Sequence, residues 1–369
     1  MSDFLVKAAA LARDWVAPGD AIAQWTHFVT STCNAKCRHC FYPINQRTDE
    51  LTLAELEKLA ATLPPIRLLL ISGGEPFLRR DLPELLRVYW ERCRFFSVSI
   101  PTNGFSAERI AETVRRICAI SPDLQLGMTV SLDGFEEFHD AMRQVPGLYR
   151  KATETLRALV ALSAELPNLT AGVNTVFMNA NQDRMDEFCA MIRSEFAPTY
   201  HSLILVRGKP ADPQLDMSVD VPKFRRISRW LDERYSGQGG SGLARALRTR
   251  ARHTINRERF EYIARQASGG GFEQFCLAGE REYILTEQGD VYGCELIGDK
   301  LGNVREAGYD FRRIRAGEAA AAFVRAKRER LCRCTHECNA RTMILFNRKN
   351  APTLVAGMLG APRSGGGGD

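Results

Sequence analysis

The chain has 369 residues, 45% of them hydrophobic and 25% charged, which indicates a globular protein of two domains or of one large barrel with an appendage. A net charge of +6 is too small to indicate nucleic-acid binding, and neither a signal peptide nor an apolar stretch of membrane-spanning length occurs. We therefore expect a cytoplasmic protein whose clustered cysteines are reduced metal ligands rather than disulfides.

The first half of the chain alternates short apolar strands with amphipathic helices. Six strand–helix units in succession predict an α/β fold with a parallel sheet, curled into a partial (β/α)6 barrel of the TIM type. The predicted strands are Gln24–Thr30, Arg67–Ser72, Phe95–Ile100, Leu124–Leu132, Leu169–Met178 and His201–Val206. The predicted helices are Thr52–Thr62, one capped by Asp81 that runs to Arg92, one capped by Ser106, Gly147–Ala164 and Asp183–Glu195.

The rest of the chain predicts helices and then a small cysteine-rich domain. Helices are expected at Val221–Tyr235 and Leu243–Ala267, with a Gly/Ser-rich break over 236–242 between them. The segments Glu282–Thr286 and Val291–Cys294 flank a turn and predict a hairpin. We divide the chain into an N-terminal helical segment (1–24), the barrel (25–210), a helical linker (211–271), the small C-terminal domain (272–347) and a flexible tail (348–369).

Three cysteines, Cys33, Cys37 and Cys40, lie in the loop after the first predicted strand. Their spacing lets three thiolates surround one inorganic centre and leaves one coordination position open for chemistry. Structural zinc and ordinary electron-transfer clusters are held by four ligands instead. The alternative is a zinc site completed by His39 or by a distant residue.

This cysteine spacing, followed by Phe41 and Tyr42, resembles the signature of the radical S-adenosylmethionine (SAM) superfamily. The resemblance implies a [4Fe-4S] cluster on the three cysteines, with SAM bound through its amino and carboxylate groups to the fourth iron. It implies reductive cleavage of SAM to a 5′-deoxyadenosyl radical, which abstracts hydrogen from a substrate. It also implies an external electron donor such as flavodoxin or ferredoxin.

Polar residues follow the other predicted strands, and the carboxyl ends of barrel strands meet at one face. In Gly73-Gly74-Glu75 the missing Cβ atoms permit close backbone approach, and the carboxylate can accept hydrogen bonds from an ammonium group. The resemblance assigns these three residues to the methionine end of SAM. It assigns the SAM ribose and carboxylate to Asn103, Ser131, Asp133 and Arg143, the last in the loop after the fourth strand, and adenine packing to His39 and Phe41. In the alternative interpretation Asn103 and Asp133, each followed by glycine, are ordinary turn residues, and Arg143 is a surface charge.

Five further cysteines lie in the last third of the chain: Cys276, Cys294, Cys332, Cys334 and Cys338. Four thiolates suit structural zinc, but the arrangement resembles the SPASM and twitch extensions of radical SAM enzymes, which bind auxiliary [4Fe-4S] clusters. Five cysteines are fewer than a full SPASM domain uses for two clusters, so we expect one auxiliary cluster. Cys276, Cys294, Cys334 and Cys338 are the preferred ligands, with Cys332 as the alternative fourth.

The substrate predicted from these features is a small polar metabolite (a sugar, an aminocyclitol or a nucleoside) that undergoes net oxidation or rearrangement. Only 32 residues precede Cys33, too few for a leader-peptide recognition domain. Strand-end residues suited to a polar or anionic ligand are Asn174, Asn179, Asn181 and Arg207. The alternative function is radical modification of a ribosomal peptide or protein, and a remote one is a non-enzymatic zinc-binding module.

Overall fold

The computed structural model describes residues 3–17, 19–46, 49–235, 243–270, 275–330 and 332–360. The described residues fall into two compact units. The barrel unit comprises Asp20–Val219 with Leu277–Leu331, and the helical unit comprises Met1–Gly19, Asp220–Cys276 and Cys332–Asp369. The predicted C-terminal domain is thus divided between both units. The predicted break at 236–242 and the chain end at 361–369 lie outside the described residues.

Regular elements occupy most of the described chain. The strands are β1 (Ile22–Phe28), β2 (Ile66–Ser72), β3 (Ser97–Thr102), β4 (Leu126–Ser131), β5 (Leu169–Phe177), β6 (Tyr200–Leu205), β7 (Glu282–Leu285), β8 (Asp290–Tyr292) and β9 (Lys300–Asn303). The α-helices are α1 (Asp3–Val16), α2 (Leu53–Ala60), α3 (Leu82–Cys93), α4 (Ala107–Cys118), α5 (Glu136–Arg143), α6 (Leu148–Glu165), α7 (Met185–Phe196), α8 (Val221–Tyr235), α9 (Leu243–Ala267), α10 (Phe311–Arg315), α11 (Glu318–Glu329), α12 (Glu337–Phe346) and α13 (Ala351–Leu359).

The sheet of the barrel unit has the order β6-β5-β4-β3-β2-β1-β7-β8-β9. Neighbouring strands from β1 to β6 pair in parallel, which confirms the predicted α/β partial barrel. β7 adds a parallel neighbour on the other side of β1, with Gln24 opposite Glu282. The predicted hairpin is present as the antiparallel pair β7 and β8, so the cysteine-rich last third contributes strands to the same sheet.

Buried apolar side chains on both faces hold the parallel strands in place. β2 shows little alternation between buried and exposed side chains and buries most of them, as expected for a strand covered on both faces. Trp25 of β1 is fully buried and packs edge-on against Phe311, with 5.2 Å between ring centroids. Burying such side chains stabilises the fold by roughly 1.5–3 kcal/mol each.

The starts of three helices show which predicted caps are made. Thr52 begins α2 with a capping box in which Thr52 and Glu55 satisfy each other's backbone N–H groups. Asp81 and Ser106 precede α3 and α4 but make no side-chain cap hydrogen bond. Both residues thus stand at the predicted N-cap positions without the cap hydrogen bond, and the carboxylate of Asp81 pairs instead with Arg79, at 2.8 Å.

The helical unit packs around α9. Helices α8, α12 and α13 contact α9, and Trp15 of α1 donates a 2.7 Å hydrogen bond to the Leu345 carbonyl of α12. The first part of the predicted flexible tail contains helix α13, which packs on α9. Within the described residues, no helix combines the length and the apolarity that crossing a bilayer requires.

Candidate active site

The carboxyl ends of the parallel strands surround one open cavity in the barrel unit. It is lined by eleven of the predicted site residues: Cys33, Cys37, His39, Cys40, Phe41, Gly73, Gly74, Glu75, Asn103, Ser131 and Arg143. Of the residues predicted to contact SAM, Asp133 alone is not among the lining residues, because it is fully buried behind the cavity wall. Apolar side chains at the ends of β5 and β6, Val176, Ile204 and Val206, line the cavity as well.

The cysteine loop is fixed by its own backbone and by the chain after β6. The Cys33 N–H donates to Asn45 Oδ1 (2.9 Å), and Asn45 Nδ2 donates back to the Cys33 carbonyl (3.1 Å). The Cys40 N–H closes a turn on the Cys37 carbonyl (3.0 Å), and the Cys40 carbonyl accepts from Ala211 (2.7 Å). These bonds present three thiols to one cavity without a regular helix or strand.

The three thiols are protonated in this environment unless a positive centre is bound. Burial raises the pKa of each thiol, and it raises the pKa of Cys37 to about 12. The Arg143 guanidinium opposes that rise at all three thiols. A metal centre deprotonates its coordinating thiols, so such a group would bind here with release of protons.

Glu75 is the buried carboxylate of the cavity, with 3% of the residue exposed. Its Oε2 accepts from the Asn103 N–H (2.7 Å), and its Oε1 accepts from Thr102 Oγ1 (3.0 Å) and from the Phe77 N–H (3.2 Å). Burial raises the pKa of Glu75 to about 7 against these hydrogen bonds. A cationic ligand beside this group would therefore be bound most strongly once the carboxyl is ionised.

Gly73 and Gly74 serve a structural purpose that the sequence did not reveal. A Cβ on Gly73 would overlap the Thr30 carbonyl oxygen, and a Cβ on Gly74 would overlap that of Thr32. The Gly74 N–H donates to the Thr30 carbonyl (2.8 Å), and the Glu75 N–H donates to the Thr32 carbonyl (2.9 Å). The two glycines thus let the Glu75 loop pack directly on the strand end that leads into the cysteine loop.

Asp133 and Arg143 form a buried ion pair at the back of the cavity. Arg143 lies in the last turn of α5 and not in a loop as predicted, and its Nε and Nη2 approach Asp133 Oδ2 at 2.9 and 2.8 Å. Asp133 Oδ1 accepts from the Val176 N–H (3.1 Å). Arg143 is thus no surface charge, and Asp133 is no turn residue. The carboxylate of Asp133 points to Arg143 and Val176 rather than to the cavity.

His39 and Phe41 border the cavity on either side of Cys40. Burial lowers the pKa of His39 to about 4, so its imidazole is neutral at pH 7, 3.9 Å from Asp133 Oδ2. The guanidinium of Arg207 lies over the Phe41 ring, 5.5 Å from the centroid. Asn103 Nδ2 donates to Asn34 Oδ1 in the cysteine loop (2.6 Å).

Three residues predicted to face the substrate do not line the cavity. Asn181 Nδ2 donates to the Asp133 carbonyl (2.8 Å) and to the Val176 carbonyl (2.7 Å), which are structural bonds. Asn179 Nδ2 donates to Ser218 Oγ (3.0 Å), and Asn174 is a β5 residue that pairs with Ser131 in the sheet. Arg207 is the one of the four predicted residues that lines the cavity.

The remaining cysteines fall into two groups. Cys93, Cys118 and Cys189 are buried on helices α3, α4 and α7. Cys276, Cys332, Cys334 and Cys338 belong to the helical unit, and Cys294 belongs to the barrel unit. In the part of the chain that the structure describes, no three His, Cys, Asp or Glu side chains are arranged to hold a single metal ion.

Comparison with known proteins decides the class. Residues 28–192 match the family model described as the Radical SAM superfamily, a range that runs from the last residue of β1 into α7 and includes the cysteine loop and Glu75. The barrel unit of this enzyme carries a radical SAM domain. Its cofactors are therefore SAM and a [4Fe-4S] cluster, and the zinc-binding module is excluded as a description of the barrel.

Curated relatives of this radical SAM enzyme act on small molecules according to their names. An AdoMet-dependent heme synthase of Methanosarcina barkeri is 25% identical over 301 residues, 75% of this chain and 78% of the relative. A GTP 3′,8-cyclase of Chlorobaculum tepidum is 29% identical over 171 residues, 45% of this chain and 48% of the relative.

Solved structures share the fold at low sequence identity. Streptococcus suis SuiB bound to S-adenosylmethionine has a TM-score of 0.56 at 15% identity, covering 88% of this chain and 74% of SuiB. Polyhistidine-tagged anSMEcpe with bound AdoMet has a TM-score of 0.58 at 14% identity, covering 93% of this chain and 100% of anSMEcpe.

SAM affinity of this radical SAM enzyme should depend on pH through Glu75. The pKa of Glu75 is about 7 without ligand, and a neighbouring ammonium group would lower it in the complex. Below pH 7 the affinity for SAM therefore weakens about tenfold for each pH unit. Above pH 7 the affinity no longer changes, because Glu75 is already ionised without ligand. Calorimetric titration of SAM between pH 5.5 and 7.5, roughly the span on which one buried carboxyl titrates, measures this slope.

Glu75→Gln removes the charge and should give weak binding without that slope. Glu84→Gln is the matched control, because Glu84 is a half-exposed surface carboxylate paired with Arg116. A Glu75→Gln variant with the native pH slope would show that another group titrates.

Proposed function

We propose that this radical SAM enzyme acts on a small polar metabolite that carries an anionic group. The supporting observation is Arg207, a guanidinium at the end of β6 in a cavity whose neighbouring wall is apolar. In this proposal the metabolite binds with its anionic group toward Arg207, and it undergoes net oxidation or rearrangement.

The residues proposed to hold the cofactors are those of the cavity. Cys33, Cys37 and Cys40 would ligate the [4Fe-4S] cluster, and Glu75 would accept hydrogen bonds from the SAM ammonium. When the cluster and SAM are both bound, they supply the chemistry of reductive SAM cleavage to the 5′-deoxyadenosyl radical. The donor set fits, since three thiols and one buried carboxylate border a single space.

The walls of the cavity would control where hydrogen abstraction occurs. Val176, Ile204 and Val206 exclude water beside the proposed substrate position, which limits side reactions of a reactive intermediate. Phe41 and His39 would pack against the adenine. His39 is neutral at pH 7 and can stack without adding charge, because burial lowers the pKa of His39 to about 4.

Arg207 suits an anchoring function because its position is fixed from two sides. Its Nη2 lies 3.7 Å from Glu295 Oε2, and the guanidinium covers the Phe41 ring. The side chain is only 15% exposed, and Arg207 is one of the residues that line the cavity. A planar guanidinium matches the two oxygens of a carboxylate or phosphate, so a pre-oriented arginine favours an anionic ligand.

The relatives support this choice of substrate class. The heme synthase covers three quarters of this chain, and GTP, which the cyclase name specifies, is an anionic metabolite. The second candidate is a peptide or protein substrate. It is favoured by the structural neighbours, since SuiB is known bound to its precursor peptide SuiA and anSMEcpe bound to a Kp18Cys peptide.

A fractionation experiment separates the two candidates. The reconstituted enzyme is incubated with SAM, a reductant and either the low-molecular-mass filtrate or the retained polypeptide fraction of a cell extract. We expect the filtrate to raise 5′-deoxyadenosine formation above the uncoupled rate, and anion-exchange depletion of the filtrate to remove that effect. Stimulation by the polypeptide fraction alone would favour the peptide candidate.

The Arg207→Gln variant tests the anchor in the same assay. It should need at least about tenfold more filtrate for half-maximal stimulation, the loss expected for one charge-assisted contact, with the uncoupled rate unchanged. Arg184→Gln is the control, because Arg184 is an exposed arginine paired with Glu187. An Arg207→Gln variant with the native dose dependence would contradict the anchoring function.

The auxiliary cluster and the electron donor are further parts of this proposal. We place one auxiliary [4Fe-4S] cluster, of the SPASM or twitch type, on the C-terminal cysteines, with Cys334 and Cys338 as preferred ligands. Such a cluster would supply the electron acceptor that a net oxidation of the substrate requires. Flavodoxin or ferredoxin would reduce the SAM-binding cluster.

A further inference from the structure

Helix α5 holds the centre of the cysteine loop through its backbone. The N–H groups of Lys36 and Arg38, on either side of Cys37, donate to the carbonyls of Arg143 (3.2 Å) and Met142 (2.9 Å). These two carbonyls belong to the last residues of α5, where backbone acceptors have no partner within the helix. The position of Cys37 is therefore set by the end of α5 and not by the loop alone.

The side chain of Arg143 reaches the same cysteine. Its Nη1 lies 3.9 Å from Cys37 Sγ, within hydrogen-bond distance for a sulfur acceptor. Arg143 is 6% exposed, so solvent screens its charge only weakly. A thiolate at Cys37 would thus face a buried cation that already points a donor toward it.

Asp133 fixes this orientation of the guanidinium. Asp133 Oδ2 contacts two of the Arg143 nitrogens, Nε and Nη2, at 2.9 and 2.8 Å. The third nitrogen, Nη1, is thereby left directed at the Cys37 sulfur. The backbone N–H of Asp133 is itself held by His139 Nδ1 (3.2 Å), and Oδ1 is held by the Val176 N–H. A fully buried carboxylate with these partners gives the arginine one orientation.

The opposite charges of Asp133 and Arg143 do not cancel at the Cys37 sulfur. The guanidinium stands between the carboxylate and the thiol, so the positive end of the pair faces the cysteine. Negative charge that develops on the sulfur is stabilised at this position.

We propose that Arg143 is a positioning residue that raises the reduction potential of the SAM-binding cluster by hydrogen-bonding the Cys37 sulfur. This inference rests on the proposed ligation of that cluster by Cys37. Reduction adds one negative charge to the cluster, and hydrogen bonds to its sulfurs together with a buried cation stabilise the reduced state. The residue therefore acts on the electron-accepting step and does not need to contact the substrate.

The test is an anaerobic redox titration followed by electron paramagnetic resonance. The cluster is identified by the change that SAM causes in its reduced signal, which separates it from any auxiliary cluster. Arg143→Gln removes the charge, and Arg143→Lys keeps the charge while losing the fork that Asp133 holds. Arg38→Gln is the matched control, since Arg38 is a more exposed arginine of the same loop, paired with Asp212 at 2.7 Å.

We expect the midpoint potential to become more negative in both Arg143 variants, more so in Arg143→Gln, and to stay unchanged in Arg38→Gln. A native potential in either Arg143 variant that retains iron would overturn the inference. Weaker SAM binding at an unchanged potential would also overturn it and would assign Arg143 to the SAM carboxylate. A wild-type protein without a SAM-responsive cluster counts against the proposed function itself.

Discussion

Replacing Cys37 with alanine is expected to abolish formation of 5′-deoxyadenosine from SAM. Two thiolates cannot retain a cluster that three were needed to bind, so iron at this site should fall from about four atoms per chain to a trace. The rate of SAM cleavage should drop by more than about 100-fold, the upper end of what loss of a supporting partner alone causes. Iron and sulfide analysis with chromatographic detection of deoxyadenosine measures both effects.

Two other cysteines give the controls for this variant. Cys118→Ala removes a buried helix thiol of the barrel unit and should leave cluster content and SAM cleavage unchanged. Cys338→Ala should lower total iron from about eight to about four atoms while sparing uncoupled SAM cleavage, if the proposed auxiliary cluster is present. Native SAM cleavage by Cys37→Ala would refute the proposed cluster ligands.

Placing alanine at Gly74 is expected to damage folding and SAM binding together. The added Cβ would overlap the Thr32 carbonyl oxygen and crowd that of Ser31, and both atoms belong to the backbone, which cannot rotate away. Overpacking of this kind typically costs about 1–3 kcal/mol, and more where the backbone must move. Because the Glu75 N–H is bonded to Thr32, the shift also displaces the carboxylate.

Thermal unfolding and SAM titration of the same Gly74→Ala sample measure the two effects. Gly298→Ala is the matched control, since a Cβ at Gly298 meets no atom within 4 Å and its φ lies outside the left-handed region. We expect a lower Tm and weaker SAM binding for Gly74→Ala alone. Equal melting temperatures in the two variants would show that the backbone after β1 can shift to make room for the added Cβ at no cost in stability.

Much of the barrel could be predicted because each strand is a local apolar run. The six parallel strands occur in the predicted order, shifted by one or two residues at their ends. β7 was recognised only as part of a hairpin, because its pairing with β1 joins residues more than 250 positions apart, as in Gln24 and Glu282. Helix α5 was missed, since eight residues directly after a turn carry too short a periodicity.

The site could be predicted as far as spacing and strand ends determine it. The cysteine loop, Glu75 and Arg143 do line one cavity. The function of Asp133 could not be read from the sequence, because it depends on an arginine ten residues away and on the Val176 N–H of the next strand. A buried ion pair leaves no local pattern, whereas a metal-ligand loop does.

The pairing of β7 with β1 has a consequence for how the enzyme is assembled in the cell. During synthesis β1 and the cysteine loop leave the ribosome early, but one flank of β1 stays open until Glu282–Leu285 has been made. Until then the unpaired backbone of β1 offers an edge to other chains. The sheet can therefore be completed on this side of β1 only after the ribosome has synthesised the chain through Leu285.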